Sequence, residues 1–115
     1  MSILDRGVVE QPDAADDRTV ARVIQSFRDR ETGKLFLRER SKALPRDLQR
    51  VALRKLVQVD AATTLDDLTV PPGNRLEALA ADRKGQHSIR INDQWRVCFL
   101  WKDGHAHEVE IVDYH

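Results

Sequence analysis

Apolar and polar positions along the chain follow two different periods, helical in the first half and alternating in the second. Val23, Ile24 and Phe27 make the stretch from Val20 to Phe27 apolar, which predicts a short opening strand. Leu35, Phe36 and Leu37 lie among charges between Arg30 and Arg40, the pattern of a short helix, with Gly33 as its weak point. The next helix is the clearest. Pro45 suits a first helical turn, where its missing N–H has no intrahelical acceptor to satisfy, and Asp47 sits where the helix dipole favours an anion. Leu48, Val51, Ala52, Leu56 and Val59 then recur at three- and four-residue spacing and form one apolar stripe that must face a sheet or another helix. Thr64 and Asp67 form a capping pair for a single turn, and Pro71, Pro72 and Gly73 stop any helix beyond it.

Past that stop the period is two. Arg75 to Ala80 reads as a strand, Asp82 to Gly85 as a turn, and His87 to Asn92 as a second strand alternating through Ile89 and Ile91. Trp95, Val97, Phe99 and Trp101 then occupy one face of a third strand, with Arg96, Cys98 and Leu100 on the other. Asp103 and Gly104 suit a hairpin turn that needs positive φ, and His107 to Tyr114 completes the set. One strand, two helices and a run of strands with short turns predict an α+β fold: a mainly antiparallel sheet with the helices packed on one side. Residues 1–22, with Gly7, Pro12 and five acids, read as a flexible extension, leaving 23–115 as the domain. GUG, a valine codon that bacteria also use to start translation, can encode Val23, so an upstream misreading of the frame is an alternative account of 1–22.

Composition narrows the function classes. At 115 residues the chain holds one core, and a domain of this size buries about 60 to 70% of its unfolded surface without metal or disulfide help. Lys and Arg balance Asp and Glu at zero net charge, so total charge argues for neither a nucleic-acid nor a membrane partner. The single cysteine, Cys98, excludes an internal disulfide, and no Cys/His spacing has the zinc pattern. With no apolar run of membrane-spanning length and no signal-peptide pattern, a cytoplasmic protein is expected. Distribution tells more than the total. Residues 1–22 carry net −2, 23–58 net +6 and 59–115 net −4. Arg46, Arg50 and Arg54 lie four residues apart on the long helix, a ridge suited either to tracking phosphates or to solvation alone.

Three stretches taken together carry a resemblance: RLEALAADRKG (Arg75 to Gly85), HSIRINDQWRVCF (His87 to Phe99) and the closing VEIVDYH (Val109 to His115). In order and spacing they resemble the HigB branch of the RelE/ParE superfamily, the toxin halves of bacterial toxin–antitoxin pairs. The resemblance implies a compact ribonuclease-like fold and cleavage of messenger RNA in the ribosomal A site, with no metal or cofactor. It also implies a helix-turn-helix antitoxin of the HigA kind that neutralises the toxin and represses the shared operon, so that operator DNA is reached only through the antitoxin. It further places Asp113, Tyr114 and His115 at the active centre.

Cutting RNA without metal requires a base for the ribose 2′-OH, a cation for the charge that builds on the phosphate, and an acid for the leaving 5′ oxygen. Arg96 and Arg83 are the candidate cations, since a guanidinium offers phosphate a planar fork of donors, and alternation turns Arg96 away from the Trp95 and Val97 stripe. Tyr114 and His115 are the candidate proton carriers. The blander readings are a cross-strand ion pair of Arg96 with Glu108 or Glu110, packing for Tyr114 and a frayed end for His115. Some family members carry a histidine at the place of Glu77 and a lysine at the place of Ala80. Here Glu77 is a candidate base, and Ala80 removes one phosphate-neutralising charge unless Arg83 or Lys84 compensates. Two other functions stay open: a ParE-like inhibitor of DNA gyrase, and a catalytically weak toxin that works mainly as antitoxin-bound co-repressor.

Overall fold

The computed structural model describes residues 22–113. Its helices come first. α1 spans Arg30–Phe36, capped by Asp29, whose carboxylate accepts from the Thr32 amide at 2.9 Å and the Thr32 hydroxyl at 2.7 Å. Leu35 and Phe36 point into the core, whereas Leu37 falls past the last turn and is exposed. α2 spans Arg46–Ala61, so Pro45 is the cap and not the first helical residue. The apolar stripe behaves as its spacing predicts: Leu48, Ala52, Leu56 and Val59 are buried. One cation, Lys55, is buried among them. The short turn at Leu65–Thr69 is held at its start by Asp67, whose carboxylate accepts from the Thr63 and Thr64 amides and the Thr63 hydroxyl. These bonds favour the carboxylate and lower its pKa.

The sheet is an antiparallel meander of β1 (Glu77–Ala78), β2 (Gln86–Arg90), β3 (Trp95–Lys102) and β4 (His105–Asp113), in that spatial order. β3 and β4 join through Asp103 and Gly104, both at positive φ (54° and 79°), as a two-residue hairpin of this kind requires. Ile89, Val97, Phe99 and Val109 line the helical side and close the core with α1 and α2. The α+β arrangement with helices against one face of an antiparallel sheet is therefore the one expected. Among the described residues no helix is long and apolar enough to cross a membrane.

Two segments depart from the alternation pattern, each for a local reason. The opening stretch runs parallel to β4 but pairs only at Ile24 with Ala106 and at Phe27 with Val109. Between those bridges β4 bulges: Cys98 faces Glu110 while Leu100 faces His107, and Glu108 takes φ of 54°. The extra residue interrupts a ladder that would otherwise be continuous. Asp60 of α2 compensates by accepting from the Val23 and Ile24 amides at 3.1 and 2.9 Å. The strand expected over 75–80 shrinks to Glu77–Ala78, because Arg75 and Ala81 both adopt left-handed backbone, at φ of 45° and 55°.

Adjacent positions of α2 test this layering. Leu56 is 0% exposed and Val57 is 40% exposed. Leu56→Ala should lower the unfolding free energy by about 2 to 5 kcal/mol, and Val57→Ala should stay within about 0.5 kcal/mol, as read by urea denaturation. Comparable losses would contradict the placement of the stripe.

Candidate active site

Strand register assembles one charged row across the face turned away from the helices. Glu77 of β1 pairs with Ser88 of β2, Ser88 with Cys98 of β3, and Cys98 with Glu110 of β4, so all four side chains emerge on the same side. The neighbouring row is Arg90, Arg96 and Val112. Alternation alone dictates this, since Val97 and Phe99 are committed to the core.

Arg96 is only 9% exposed, although it belongs to the polar face. A buried guanidinium needs acceptors, and it has them. Its Nε donates to the Ser88 hydroxyl at 2.7 Å, and its Nη2 donates to the Arg75 carbonyl at 2.5 Å and, at longer range, to the Ser88 carbonyl at 3.4 Å. The Glu77 carboxylate lies 3.8 Å from Nε, with its own side chain half exposed. Arg83 closes over the same face from the tight turn Ala81–Arg83 that follows β1. Its Nη1 donates at 3.0 Å both to Glu110 Oε2 and to Gln86 Oε1. The bond to Glu110 favours the charged form and raises the Arg83 pKa further. Arg28 approaches the same Glu110 oxygen at 3.8 Å.

Cys98 sits at the centre, fully buried. Burial pushes its thiol up to about 11, and the charges of Arg83, Glu110, Arg96 and Glu77 all reach it with smaller effects of both signs. That shared influence marks the four charged groups as one cluster. Chemically, the arrangement offers two oriented guanidiniums and one accessible carboxylate. Pre-set donors of this kind suit an anion whose charge develops between them.

The other candidates fall elsewhere. Lys84 is exposed and ends the turn that carries Arg83. Asp113 pairs in register with Trp95, which puts it on the opposite side of the sheet from Arg96, and its carboxylate accepts from Gln94 Nε2 at 3.1 Å. Arg46, Arg50 and Arg54 are exposed on α2, in the helical layer, so the structure does not bring this ridge to the face of Arg96 and Arg83. Tyr114 and His115 lie outside the described residues. The ion pair considered for Arg96 takes another form. Glu110 engages Arg83 and Arg28, because register sets it beside Cys98, one step past Arg96, while Glu108 turns to Ser26, whose hydroxyl donates to it at 3.3 Å. Sequence reasoning missed Ser88, Arg28 and Gln86 as parts of the cluster. Ser88 was accessible in principle, as the polar residue preceding Ile89 in an alternating strand; Arg28 and Gln86 join only through the tertiary fold. Among the described residues no group of three or more His, Cys, Asp or Glu side chains is placed to hold a metal.

The family profile described as the RelE-like toxin of type II toxin–antitoxin system HigB matches residues 25–115. The chain belongs to the HigB-like toxins. Toxin HigB-1 of Vibrio cholerae is 44% identical over 68 residues, covering 59% of this chain and 72% of that protein. The Endoribonuclease HigB of Proteus vulgaris is 31% identical over 94 residues, covering 81% of this chain and 100% of that protein. The crystal structure of YafQ from E. coli superposes over 81% of this chain and 93% of its own, with 13% identity and a TM-score of 0.49. Membership in this HigB-like family makes the chain the toxin half of a type II pair, and an antitoxin is the partner that such a system implies.

The Cys98 environment gives a direct chemical test. A rise from 9.0 to about 11 leaves about a hundredfold less thiolate near pH 8 than in an unfolded thiol, before any steric protection is counted. Iodoacetamide should therefore label the native protein at least that much more slowly than the urea-unfolded chain. Because the folded pKa is the raised one, the thiol's contribution to stability is complete below pH 9 and is lost as pH rises through about 11. Native labelling within tenfold of the unfolded rate would place Cys98 outside the buried cluster.

Proposed function

We propose that this toxin is a metal-independent, ribosome-dependent endoribonuclease that cleaves messenger RNA in the A site, held in check by a HigA-like helix-turn-helix antitoxin. The single observation that carries the reading is the pair of oriented cations, Arg96 and Arg83, on one face beside the accessible carboxylate of Glu77. The printed name of the Proteus vulgaris relative, an endoribonuclease matched over its whole length, adds support. In this reading Glu77 accepts the proton of the ribose 2′-OH, whose oxygen attacks the adjacent phosphorus. Arg96 and Arg83 neutralise the charge that accumulates on the phosphate oxygens, with Lys84 at the rim. Tyr114 and His115 serve the acid step, in which a proton passes to the leaving 5′ oxygen as its bond to phosphorus breaks, while Asp113, on the other side of the sheet from Arg96, takes no direct part in it. The ribose 2′-OH is what restricts the chemistry to RNA. Arg46, Arg50 and Arg54, on the helical layer, are left to make contacts with the ribosome or its RNA away from the scissile bond.

One observation favours a weak enzyme that acts largely as a co-repressor bound to its antitoxin on operator DNA. Ala80 is exposed, and its carbonyl accepts from the Arg83 amide at 3.0 Å, so a methyl stands beside the turn that carries a catalytic cation. A lysine there would add a charge next to Arg83.

Both readings meet in one assay of mRNA cleavage on programmed ribosomes. Wild-type protein should cut in the A site; Arg96→Ala and His115→Ala should each lose about a hundredfold or more. Ala80→Lys should gain about ten- to a hundredfold if a charge-assisted contact is restored. Absence of cleavage by the wild type, with gyrase inhibition or operator binding retained, would overturn the nuclease reading. Undiminished cleavage by Arg96→Ala would remove its cation.

A further inference from the structure

Among the described residues, the most completely buried polar side chain that the charged face does not contain is Asn74, at 0% exposure. It ends the short turn Pro72–Asn74, and its backbone amide donates to the Pro71 carbonyl at 2.9 Å. Both ends of its side-chain amide are engaged. Oδ1 accepts from Lys55 Nζ at 2.7 Å, and Nδ2 is directed at Gln58 Oε1 (3.0 Å), the Leu68 carbonyl (3.2 Å) and the Val70 carbonyl (3.3 Å). Lys55 and Gln58 both belong to α2, so Asn74 ties the loop between helix and sheet to the helical layer. Burial first, then the nearby charges of Arg54 and Arg90, lower the Lys55 pKa.

The next residue along the chain is Arg75, held at φ of 45°, a left-handed backbone that an L-residue keeps only when its surroundings enforce it. Its carbonyl is the one that accepts from Arg96 Nη2 at 2.5 Å. A single peptide unit therefore separates a fully anchored amide from the acceptor that orients the cation.

We propose that Asn74 is a positioning residue for Arg96: by fixing the loop to Lys55 and Gln58 it sets the Arg75 carbonyl, and that carbonyl fixes the rotation of the Arg96 guanidinium. The catalytic meaning of this device rests on the nuclease reading above; the orientation of Arg96 does not. The amide is the side chain the site requires. A carboxylate would keep the Lys55 contact but lose the donors to Gln58, Leu68 and Val70, and an alanine would lose both.

The test reads the guanidinium itself. In protein labelled with 15N and 13C arginine, exchange between the two Nη nitrogens of Arg96 reports rotation about its Nε–Cζ bond, with the signal assigned by its loss in Arg96→Lys. Rotation should be slow in the wild type and at least tenfold faster in Asn74→Ala and Asn74→Asp, while the backbone amides of Val97 and Phe99 keep their protection and certify the fold. Lys55→Met provides a third variant that alters the anchor from the far side and should accelerate rotation in the same direction. On ribosomes, the folded variants should lower kcat tenfold or more with KM within about twofold. Unchanged rotation in the folded variants overturns the proposal, and so does unfolding of all three, which would make Asn74 a stability residue only. Faster rotation in the Asn74 variants, together with a wild type that cleaves no RNA, would sink the nuclease reading and leave the positioning role standing.

Discussion

A guanidinium removed from water must find its acceptors inside the protein, and in this chain the sheet is arranged so that Arg96 does. Its Nε meets the Ser88 hydroxyl on the adjacent strand, and its Nη2 meets the Arg75 carbonyl at the start of the edge segment. Both acceptors depend on the β2–β3 register, in which Ser88 faces Cys98 and Arg90 faces Arg96. That register depends in turn on Val97, Phe99 and Ile89 being taken by the core. A slip of one residue would send Arg96 into the helices and Phe99 into water. The hydrophobic core and the charged face are thus two consequences of one alternation.

The charged face is built by pairing, and the pairing limits what each cation can do. Arg83 is oriented by Glu110 and Gln86, and Arg96 is oriented with Glu77 nearby, so two carboxylates already accompany the cations that an anion would meet. Orientation without full neutralisation favours an anion that brings more charge than a ground-state ligand, the situation of a phosphate passing through its most charged form. In the proposed reading it also moderates affinity for RNA at rest. In the nuclease reading proposed above, a toxin built this way depends on its ribosomal setting to position the substrate, and the ridge of Arg46, Arg50 and Arg54 on the helical layer is left for contacts of a different kind.

Much of this was legible in the residues. The α2 stripe, the β3 alternation and the Asp103–Gly104 turn were read from period and turn chemistry, because each is set by interactions within a few residues. What escaped is set by the tertiary fold. The opening strand fails to form a continuous ladder because Glu108 bulges on a partner more than eighty residues away in the chain. β1 shortens because Arg75 and Ala81 adopt left-handed backbone that neither residue type announces. Arg96 was read as facing away from the core, which the register bears out. Its acceptors were unforeseen, since one is a backbone carbonyl and the other a serine eight positions back. The family resemblance, carried by three stretches between Arg75 and His115, pointed to the same strands from a different direction.

The central claim is that messenger RNA meets the sheet face carrying Arg96 and Arg83. Its most direct measurement is a cryo-electron microscopy structure of the toxin on a ribosome whose A-site codon carries 2′-deoxy sugars, which blocks cleavage and traps the substrate. The account predicts a scissile phosphate within hydrogen-bond distance of the Arg96 and Arg83 guanidiniums, with Glu77 beside the modified 2′ position. An A-site codon lying against α2 and Arg46, Arg50 and Arg54, with the Arg96 face turned to solvent, would contradict it.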